Sequence, residues 1–194
     1  MSLPPSRFES AYHGTPPWDI GRPQPAIVRL AENGQISGAV LDVGCGTGEN
    51  ALYLAQRGLA VMGIDGAPTA IRKARAKAKS RGLDLRFEVA DALDLSLPKP
   101  FDTVIDSGLF HVFSDDERTR FTASLGRVVR PDGTYFMMCF SEREPGDWGP
   151  RRVTQAEIRS AFHAGWRVNS IDPSAFDTNG GDAQAWLASI SRLG

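Results

Sequence analysis

The chain alternates short apolar runs with longer segments whose apolar positions recur about every three to four residues. The short runs end at glycine, proline or aspartate and predict strands, whereas the longer segments predict helices. This alternation is typical of βαβ units, so we expect an α/β fold whose mostly parallel sheet has helices on both faces. Strands are predicted over 39–43, 60–64, 85–89, 101–105, 134–140, 166–171 and 185–190, and helices over 26–32, 50–56, 69–80, 115–129 and 154–164.

The last two predicted strands break the alternation. Residues 172–184 between them form a stretch without helical periodicity, so we expect an irregular link of 13 residues there. Parallel neighbours need a crossover connection, which is usually a helix. Strands 166–171 and 185–190 are therefore predicted to be antiparallel neighbours.

The first 37 residues differ from the rest of the chain. Phe8, Tyr12 and Trp18 are spaced among six prolines that precede residue 26. Aromatic side chains between prolines are not typical of a flexible tail, which is usually rich in small and polar residues. We therefore expect residues 1–37 to form an arm or lid packed on one domain of residues 38–194.

Composition narrows the class of protein. The chain has 194 residues, the size of about one domain, and its net charge is −1, which argues against a broad nucleic-acid-binding face. Basic residues do cluster between 72 and 81, but Ile71, Ala74 and Ala78 form an apolar stripe that leaves them on a solvated helix face.

No apolar run is long enough to span a membrane, and the three histidines lack metal-ligand spacing. Cys45 and Cys139 show no CxxC pairing, which favours a reducing, cytoplasmic location.

A glycine-rich loop follows the first predicted strand and opens the next helix. It has the sequence Asp42-Val43-Gly44-Cys45-Gly46-Thr47-Gly48, and ligands of open α/β sheets bind beside such turns. A dinucleotide site would need glycine where Glu49 stands, and a P-loop would need a lysine that is missing. The acids that flank the loop oppose a pyrophosphate and favour a ligand with a cationic end, such as S-adenosylmethionine.

Two further acids follow neighbouring strands. Asp65 ends the second predicted strand, where a carboxylate can accept hydrogen bonds from both hydroxyls of an adenosine ribose. Asp91 and Ala92 follow the third, where an acid can accept from the adenine amino group. Each feature taken singly has an equally good structural explanation. The glycines can form a plain tight turn, Asp65 can cap a helix, and Asp91 can be an acid in a loop without a binding role.

Over residues 38–190 the chain resembles the class I S-adenosylmethionine-dependent methyltransferases. The resemblance rests on D-V-G-C-G-T-G (42–48), G-I-D-G (63–66), V-A-D-A (89–92), F-D-T-V-I-D-S (101–107) and V-V-R-P-D-G (128–133). It implies a Rossmann-like αβα sandwich of seven strands in the order 3-2-1-4-5-7-6, with strand 7 antiparallel, and S-adenosylmethionine as cofactor. The cofactor-binding residues that it implies are Trp18, Asp42, Gly44, Cys45, Gly46, Thr47, Gly48, Asn50, Asp65, Gly66, Asp91, Ala92 and Ser107.

The segment from Pro17 to Pro23 resembles the arm of thiopurine, thiol and halide methyltransferases and their tellurite-resistance relatives. This resemblance implies that the arm covers the methyl donor and that Trp18 lies beside it. An aromatic face near a sulfonium gains cation–π attraction of order 1 kcal/mol. The alternative is that Trp18 only fastens the arm to the core.

The resemblance implies methyl transfer by in-line displacement to a small molecule: a thiol, a ring-nitrogen heterocycle or a phenol-like hydroxyl. His111 follows the fourth predicted strand and is a candidate for the base or an acceptor contact, although it equally fits a packing role. Tyr12, Phe110 and Phe113 are candidates for an acceptor pocket, and the alternative is that they belong to the core. We expect a monomer or weak dimer without nucleic-acid or membrane partners. A macromolecular methyltransferase and a non-catalytic cofactor-binding protein remain alternatives.

Overall fold

The computed structural model describes residues 8–194. Its seven strands are β1 (Ala39–Val43), β2 (Ala60–Asp65), β3 (Arg86–Val89), β4 (Phe101–Ser107), β5 (Val129–Phe140), β6 (Trp166–Thr178) and β7 (Gly181–Arg192). Its helices are α1 (Pro25–Glu32), α2 (Glu49–Gln56), α3 (Pro68–Ser80), α4 (Asp115–Val128) and α5 (Gln155–Ala161). Short 3-10 helices cover Glu9–His13, Ala92–Asp94 and Phe110–Val112.

The strands form one sheet in the order β3-β2-β1-β4-β5-β7-β6, which confirms the expected topology. Strands β1 to β5 pair in parallel, whereas β7 is antiparallel to both of its neighbours. The carboxyl ends of the parallel strands therefore meet along one edge, where the loops that follow them lie side by side.

The predicted irregular link over 172–184 is wrong. Strands β6 and β7 remain paired from Trp166 and Arg192 as far as Thr178 and Gly181, so the turn between them is only Asn179 and Gly180. Pro173 and several acids obscure strand periodicity in this stretch. Because β6 is the last strand of the sheet, the missing N–H of Pro173 breaks no ladder on its outer side.

The junction between α4 and β5 also differs from the prediction. The helix ends at Val128 and the strand begins at Val129, although the sequence predicts a strand only from 134. The Pro131–Gly133 turn signal lies inside the strand as an irregularity, where Asp132 has a φ of 62°. Helix α5 is also shorter than the predicted 154–164, although Thr154 and Glu157 form the expected capping box.

Apolar side chains fill the space on both faces of the sheet. One face packs against α4 and α5, and the other packs against α1, α2 and α3. The expected stripe of α3, formed by Ile71, Ala74 and Ala78, is buried in the second layer. Ile27 of α1 lies in the same layer and is completely buried, so α1 is part of the packing that supports the sheet.

Within residues 8–194, no helix is both long and apolar enough to cross a membrane. The same residues contain no cluster of three or more potential metal-ligating side chains.

Candidate active site

The loop between β1 and α2 depends on three glycines. Gly44, Gly46 and Gly48 have φ values of 71°, 55° and 88°, in the left-handed region that other residues rarely adopt. A Cβ atom on Gly46 would lie 2.9 Å from the Tyr12 hydroxyl, and one on Gly48 would lie 2.7 Å from the ring of Phe87. The loop therefore forms a cradle of bare backbone in which a side chain at any of these three positions would be strained.

A cleft that is partly open to solvent lies against this cradle. The loop forms its floor, and residues of the N-terminal segment form its roof. The lining residues are Tyr12, Trp18, Asp19, Ile20, Arg22, Gln24, the loop residues 44–50, Ser107 and Phe176. The structure thus brings together Tyr12 and eight of the predicted cofactor residues: Trp18, Gly44, Cys45, Gly46, Thr47, Gly48, Asn50 and Ser107.

Asp65 fixes the shape of the glycine loop from the end of β2. Its carboxylate accepts hydrogen bonds from the backbone N–H of Gly46 at 2.9 Å and of Ala67 at 2.8 Å. Burial raises the pKa of this carboxyl group above its usual value. Each carboxylate oxygen retains further accepting capacity, so Asp65 can hold the loop and still accept from a ligand hydroxyl. Gly66, which follows it, leads into α3.

Asp42 lies behind the loop instead of lining the cleft. It is 1% exposed, and neither carboxylate oxygen has a hydrogen-bond partner within residues 8–194. Burial, together with the nearby carboxyls of Asp106 and Asp65, raises its pKa to about 8. The Ala51 N–H faces it and partly offsets this rise, at a geometry short of a hydrogen bond. Asp42 is therefore not placed to contact a ligand in the cleft.

Asp91 and Ala92 lie outside the cleft lining. Asp91 is exposed, and its carboxylate accepts from the Leu93 N–H at 2.9 Å, which caps the short helix Ala92–Asp94. The carboxylate of Asp91 thus has a local structural role as a helix cap, which was not predicted from the sequence.

His111 is buried among aromatic rings. Its Nδ1 accepts a hydrogen bond from the Phe140 N–H at 3.0 Å, and its ring centroid lies 5.2 Å from that of Phe140 and 6.0 Å from that of Phe176. Burial, reinforced by the Arg118 charge, lowers its pKa to about 3. An imidazole with this pKa stays neutral near pH 7 and is a poor proton acceptor. These contacts favour the packing role over the role of a base.

Phe110 and Phe113 do not line the cleft, contrary to the pocket expected for them. Both belong to the core beneath α4, where Phe110 is completely buried and Phe113 is 6% exposed. The guanidinium of Arg118 lies 4.5 Å from the centre of the Phe110 ring. The apolar rings of Phe110 and Phe113, which suggested an acceptor pocket, therefore pack against α4 instead.

Asp106 shapes the turn after β4. Its buried carboxylate accepts from the N–H groups of Leu109 and Phe110 at 2.7 and 3.0 Å, and from the Tyr135 hydroxyl at 2.7 Å. Burial raises the pKa of Asp106 to about 7 even though these donors oppose the rise. The turn that carries Ser107 to the cleft is thus held from inside the core.

Residues 8–24 cover the loop as an arm. The Thr47 hydroxyl donates to Asp19 at 2.6 Å, and Lys77 donates to the same hydroxyl at 2.7 Å. Trp18 donates from Nε1 to the Tyr12 hydroxyl at 3.0 Å, while its own side chain stays 40% exposed. Lys77 also pairs with Glu49 at 2.8 Å, so part of the basic face of α3 connects the arm to the loop.

The arm is also attached to the end of the β6–β7 hairpin. The Gln24 amide donates to the Asp177 carbonyl at 2.9 Å and accepts from the Asp177 N–H at 3.0 Å. Arg22 pairs with the Asp177 carboxylate at 2.8 Å, and the Asn179 N–H donates to the Pro17 carbonyl at 2.8 Å. This attachment and Phe176 could not be predicted, because Phe176, Asp177 and Asn179 fall in the stretch expected to be irregular.

Comparison with known proteins identifies the class of the chain. Residues 40–133 match the family described as a methyltransferase domain. The chain is 40% identical over 185 residues to 2-heptyl-1-hydroxyquinolin-4(1H)-one methyltransferase of Mycobacteroides abscessus, covering 89% of this chain and 82% of that protein. The chain therefore belongs to the class I S-adenosylmethionine-dependent methyltransferases.

Two further similarities are informative. The chain is 41% identical, with a TM-score of 0.89, to a protein solved in work on the conversion of a disulfide bond into a thioacetal group during echinomycin biosynthesis, covering 96% of this chain and 92% of that one. It is 27% identical over 152 residues to probable thiol methyltransferase 2 of Arabidopsis thaliana, covering 77% of this chain and 67% of that protein. The second similarity agrees with the expected resemblance to thiol methyltransferases.

The site fits the cofactor of this class, which is S-adenosylmethionine. A Cβ atom on Gly46 would meet Tyr12 in the cleft lining, whereas one on Gly44 or Gly48 would meet Leu109 or Phe87 outside that lining. Two acids, Asp19 and Glu49, line the cleft, and Asp19, whose ion pair with Lys77 is the longer one at 3.9 Å, is the one that suits a cationic ligand. Lys77 and Arg81 are paired with Glu49, so they are not arranged to hold a phosphate. Of the residues expected to hold the cofactor, the glycine loop and Trp18 line the cleft, whereas Asp65 lies outside the lining and contacts the loop through Gly46.

Proposed function

We propose that the protein transfers a methyl group from S-adenosylmethionine to a small-molecule acceptor: a thiol, a ring-nitrogen heterocycle or a phenol-like hydroxyl. The observation that carries this proposal is the partly open cleft between the glycine cradle and the arm, which lies beside the turn after β1 where open α/β sheets bind small ligands. The Mycobacteroides relative, whose name specifies a quinolone acceptor, supports a small molecule.

When bound, the cofactor supplies a methyl group on a positively charged sulfur. The chain's own contribution is to position and enclose the reactants, because the leaving group is already good. The glycine loop and Asp65 fix the donor, and Asp19 and Gln24 hold the arm over it through their contacts with Thr47 and Asp177. Ser107 and Phe176 also line the cleft, and we expect the acceptor to approach from their side.

Cofactor binding is the first test. S-adenosylhomocysteine at a hundredfold excess over Kd is expected to stabilise the wild-type protein by about 2.7 kcal/mol, which a thermal melt detects as a rise in Tm. Gly46→Ala is expected to abolish most of this rise, because its Cβ displaces Tyr12. Gly58→Ala is the matched control: it has a positive φ of 85° but open space, so it lowers Tm without changing the rise.

The acceptor class is tested by methyl uptake from labelled cofactor into panels of thiols, heterocycles and phenols. Uptake by at least one panel is expected. Uptake only by RNA or protein substrates would defeat the small-molecule proposal, and stabilisation by NAD instead of S-adenosylhomocysteine would defeat the cofactor assignment.

We also propose that the protein works in the cytoplasm as a monomer or weak dimer. Cys45 and Cys139 are both free thiols, as a reducing compartment allows. Sedimentation equilibrium of the purified protein and fractionation of its cells test the two statements. A tight tetramer or recovery outside the cytoplasm would contradict them.

A further inference from the structure

Among the residues that the structure describes, three charged side chains line the cleft, and only one of them is basic. They are Asp19, Arg22 and Glu49. Glu49 is already paired with Lys77 at 2.8 Å and with Arg81 at 2.9 Å, so its charge is neutralised within the protein. The charges of the lining that remain for a ligand are therefore one cation, Arg22, and one anion, Asp19.

Arg22 has hydrogen-bond donors that the protein does not use. Its Nη2 donates to the Asp177 carboxylate at 2.8 Å, and its guanidinium makes no other hydrogen bond within residues 8–194. A guanidinium carries five N–H groups in a planar fork, a geometry that suits a carboxylate. Since the Arg22 side chain is 61% exposed, the remaining donors are accessible to a ligand in the cleft.

Asp19 has an acceptor that the protein does not use. Its Oδ1 accepts from the Thr47 hydroxyl at 2.6 Å and lies 3.9 Å from the Lys77 Nζ. Its Oδ2 has no hydrogen-bond partner within residues 8–194. A free carboxylate oxygen in the cleft lining can accept a charge-assisted hydrogen bond from an ammonium group.

The end of the β6–β7 hairpin positions both charges. Asp177 pairs with the Arg22 side chain, and the Asn179 side-chain amide donates to the Asp19 carbonyl at 3.0 Å. Arg22 and Asp19 are thus three residues apart in the arm and are attached to hairpin residues that are two apart. The same part of the cleft wall therefore carries donors for an anion and an acceptor for a cation.

The cofactor has one part that matches this arrangement. Its methionine-derived end carries an ammonium and a carboxylate on the same carbon, whereas its adenosine end is uncharged. We propose that Arg22 binds the carboxylate of this end and that Asp19 binds its ammonium, so that the arm recognises the amino-acid group of the methyl donor. This proposal rests on the proposed function and assigns two further binding residues to it.

Asp177 and the carboxylate of the ligand would then share the Arg22 guanidinium. Two carboxylates beside one cation repel each other, so Asp177 holds Arg22 in place but opposes its attraction for the ligand. If the ion pair only fastened the arm, loss of either partner would instead weaken every ligand alike. The two roles of the pair therefore predict different results for Asp177.

The test compares three ligands that share the adenosine and the sulfur. They are S-adenosylhomocysteine, its decarboxylated analogue, which keeps the amino group, and its deaminated analogue, which keeps the carboxylate. Binding of each ligand to the wild-type protein is measured by calorimetry. Each analogue is expected to bind about tenfold more weakly than S-adenosylhomocysteine, the scale of one charged hydrogen bond.

Variants assign the two ends of the amino-acid group. Arg22→Gln is expected to abolish the preference for S-adenosylhomocysteine over its decarboxylated analogue, whereas Asp177→Asn is expected to increase that preference. Asp19→Asn keeps an oxygen for the Thr47 hydroxyl and is expected to abolish the preference over the deaminated analogue. Arg29→Gln, at an exposed position of α1, is the control and is expected to change neither preference.

Two outcomes would overturn the inference. In the first, the wild-type protein binds the decarboxylated analogue as tightly as S-adenosylhomocysteine. In the second, Arg22→Gln and Asp177→Asn weaken all three ligands alike and leave the preferences unchanged. Both outcomes can occur while S-adenosylhomocysteine raises the Tm of the wild-type protein, in which case the proposed function stands. If the wild-type protein binds no S-adenosylhomocysteine, the proposed function fails together with the inference.

Discussion

Asp42 carries a carboxyl group that the fold surrounds with protein, without a hydrogen-bond partner among the described residues. Such a group is costly to ionise, and its pKa of about 8 expresses that cost. The folded chain therefore binds a proton that the unfolded chain releases near pH 4. Between these pH values the folded state holds more protons, so the free energy of unfolding falls as the pH rises and levels off above about 8.

Replacing Asp42 with asparagine removes this titration. The free energy of unfolding of the wild-type protein relative to that of Asp42→Asn is expected to decline from pH 5 to pH 8 by up to about 1.4 kcal/mol per pH unit, and the difference in Tm declines with it. Thermal melts across this range measure it. The exposed Asp84 provides the control, since Asp84→Asn is expected to follow the wild-type curve. Parallel curves for wild type and Asp42→Asn would contradict the argument.

At the scale of elements, the arm and the β6–β7 hairpin behave as a linked pair. The Gln24 amide makes two hydrogen bonds to the backbone of Asp177, and the Asn179 N–H donates to Pro17. Through Phe176 the same hairpin reaches the cleft. An arm held at both the glycine loop and the hairpin encloses the site without a large hydrophobic interface of its own.

Gln24→Ala removes both amide contacts with the hairpin and is expected to release the arm. We expect faster amide hydrogen exchange in residues 8–23 and about tenfold weaker binding of S-adenosylhomocysteine, since each lost hydrogen bond is worth about 1 kcal/mol. Exchange mass spectrometry and calorimetry provide the two measurements. Gln35→Ala, at an exposed position beyond α1, is the matched control. If amide hydrogen exchange in residues 8–23 were unchanged in Gln24→Ala, the remaining contacts of the arm would be enough to hold it in place.

The elements that could be predicted from sequence are those whose residue pattern is set by neighbouring positions along the chain. The glycine loop and the strands beside it are short, apolar and sharply bounded, so their order along the chain and their chemistry follow from the pattern. The extended hairpin could not be predicted, because residues 172–178 are ordered by pairing with β7 and with Gln24. Phe110 and Phe113 show the same limit, since only tertiary packing distinguishes a core ring from a pocket ring.

At the scale of the whole molecule, the sheet and the arm have different kinds of support. Ala26 and Ile27 of α1 are completely buried and Leu30 is 5% exposed, whereas the arm is fixed mainly by hydrogen bonds and ion pairs. We propose that the unit that folds independently begins at α1, and that only the residues before it act as a lid.

Two truncations test this division. Removal of residues 1–23 is expected to leave a cooperative thermal transition but to weaken cofactor binding. Removal of residues 1–37 also exposes the layer that α1 covers, and losing Ile27 and Leu30 costs roughly 1.5–3 kcal/mol each, a large part of ordinary stability. Circular dichroism melts are expected to show no cooperative transition for the longer truncation. A native-like melt would place α1 outside the folding unit.

The pairing of Gln24 with Asp177 has a consequence for how the molecule meets other proteins. Strand β6 is the outermost strand on its side of the sheet, and an outermost strand presents unpaired N–H and C=O groups that can recruit a strand from another chain. The Gln24 amide occupies one such N–H and C=O pair on β6. The opposite border, β3, is only four residues long and carries Arg86 and Glu88. The Gln24 amide thus protects β6 at Asp177, and an arm that swings open exposes that position to a strand from another chain.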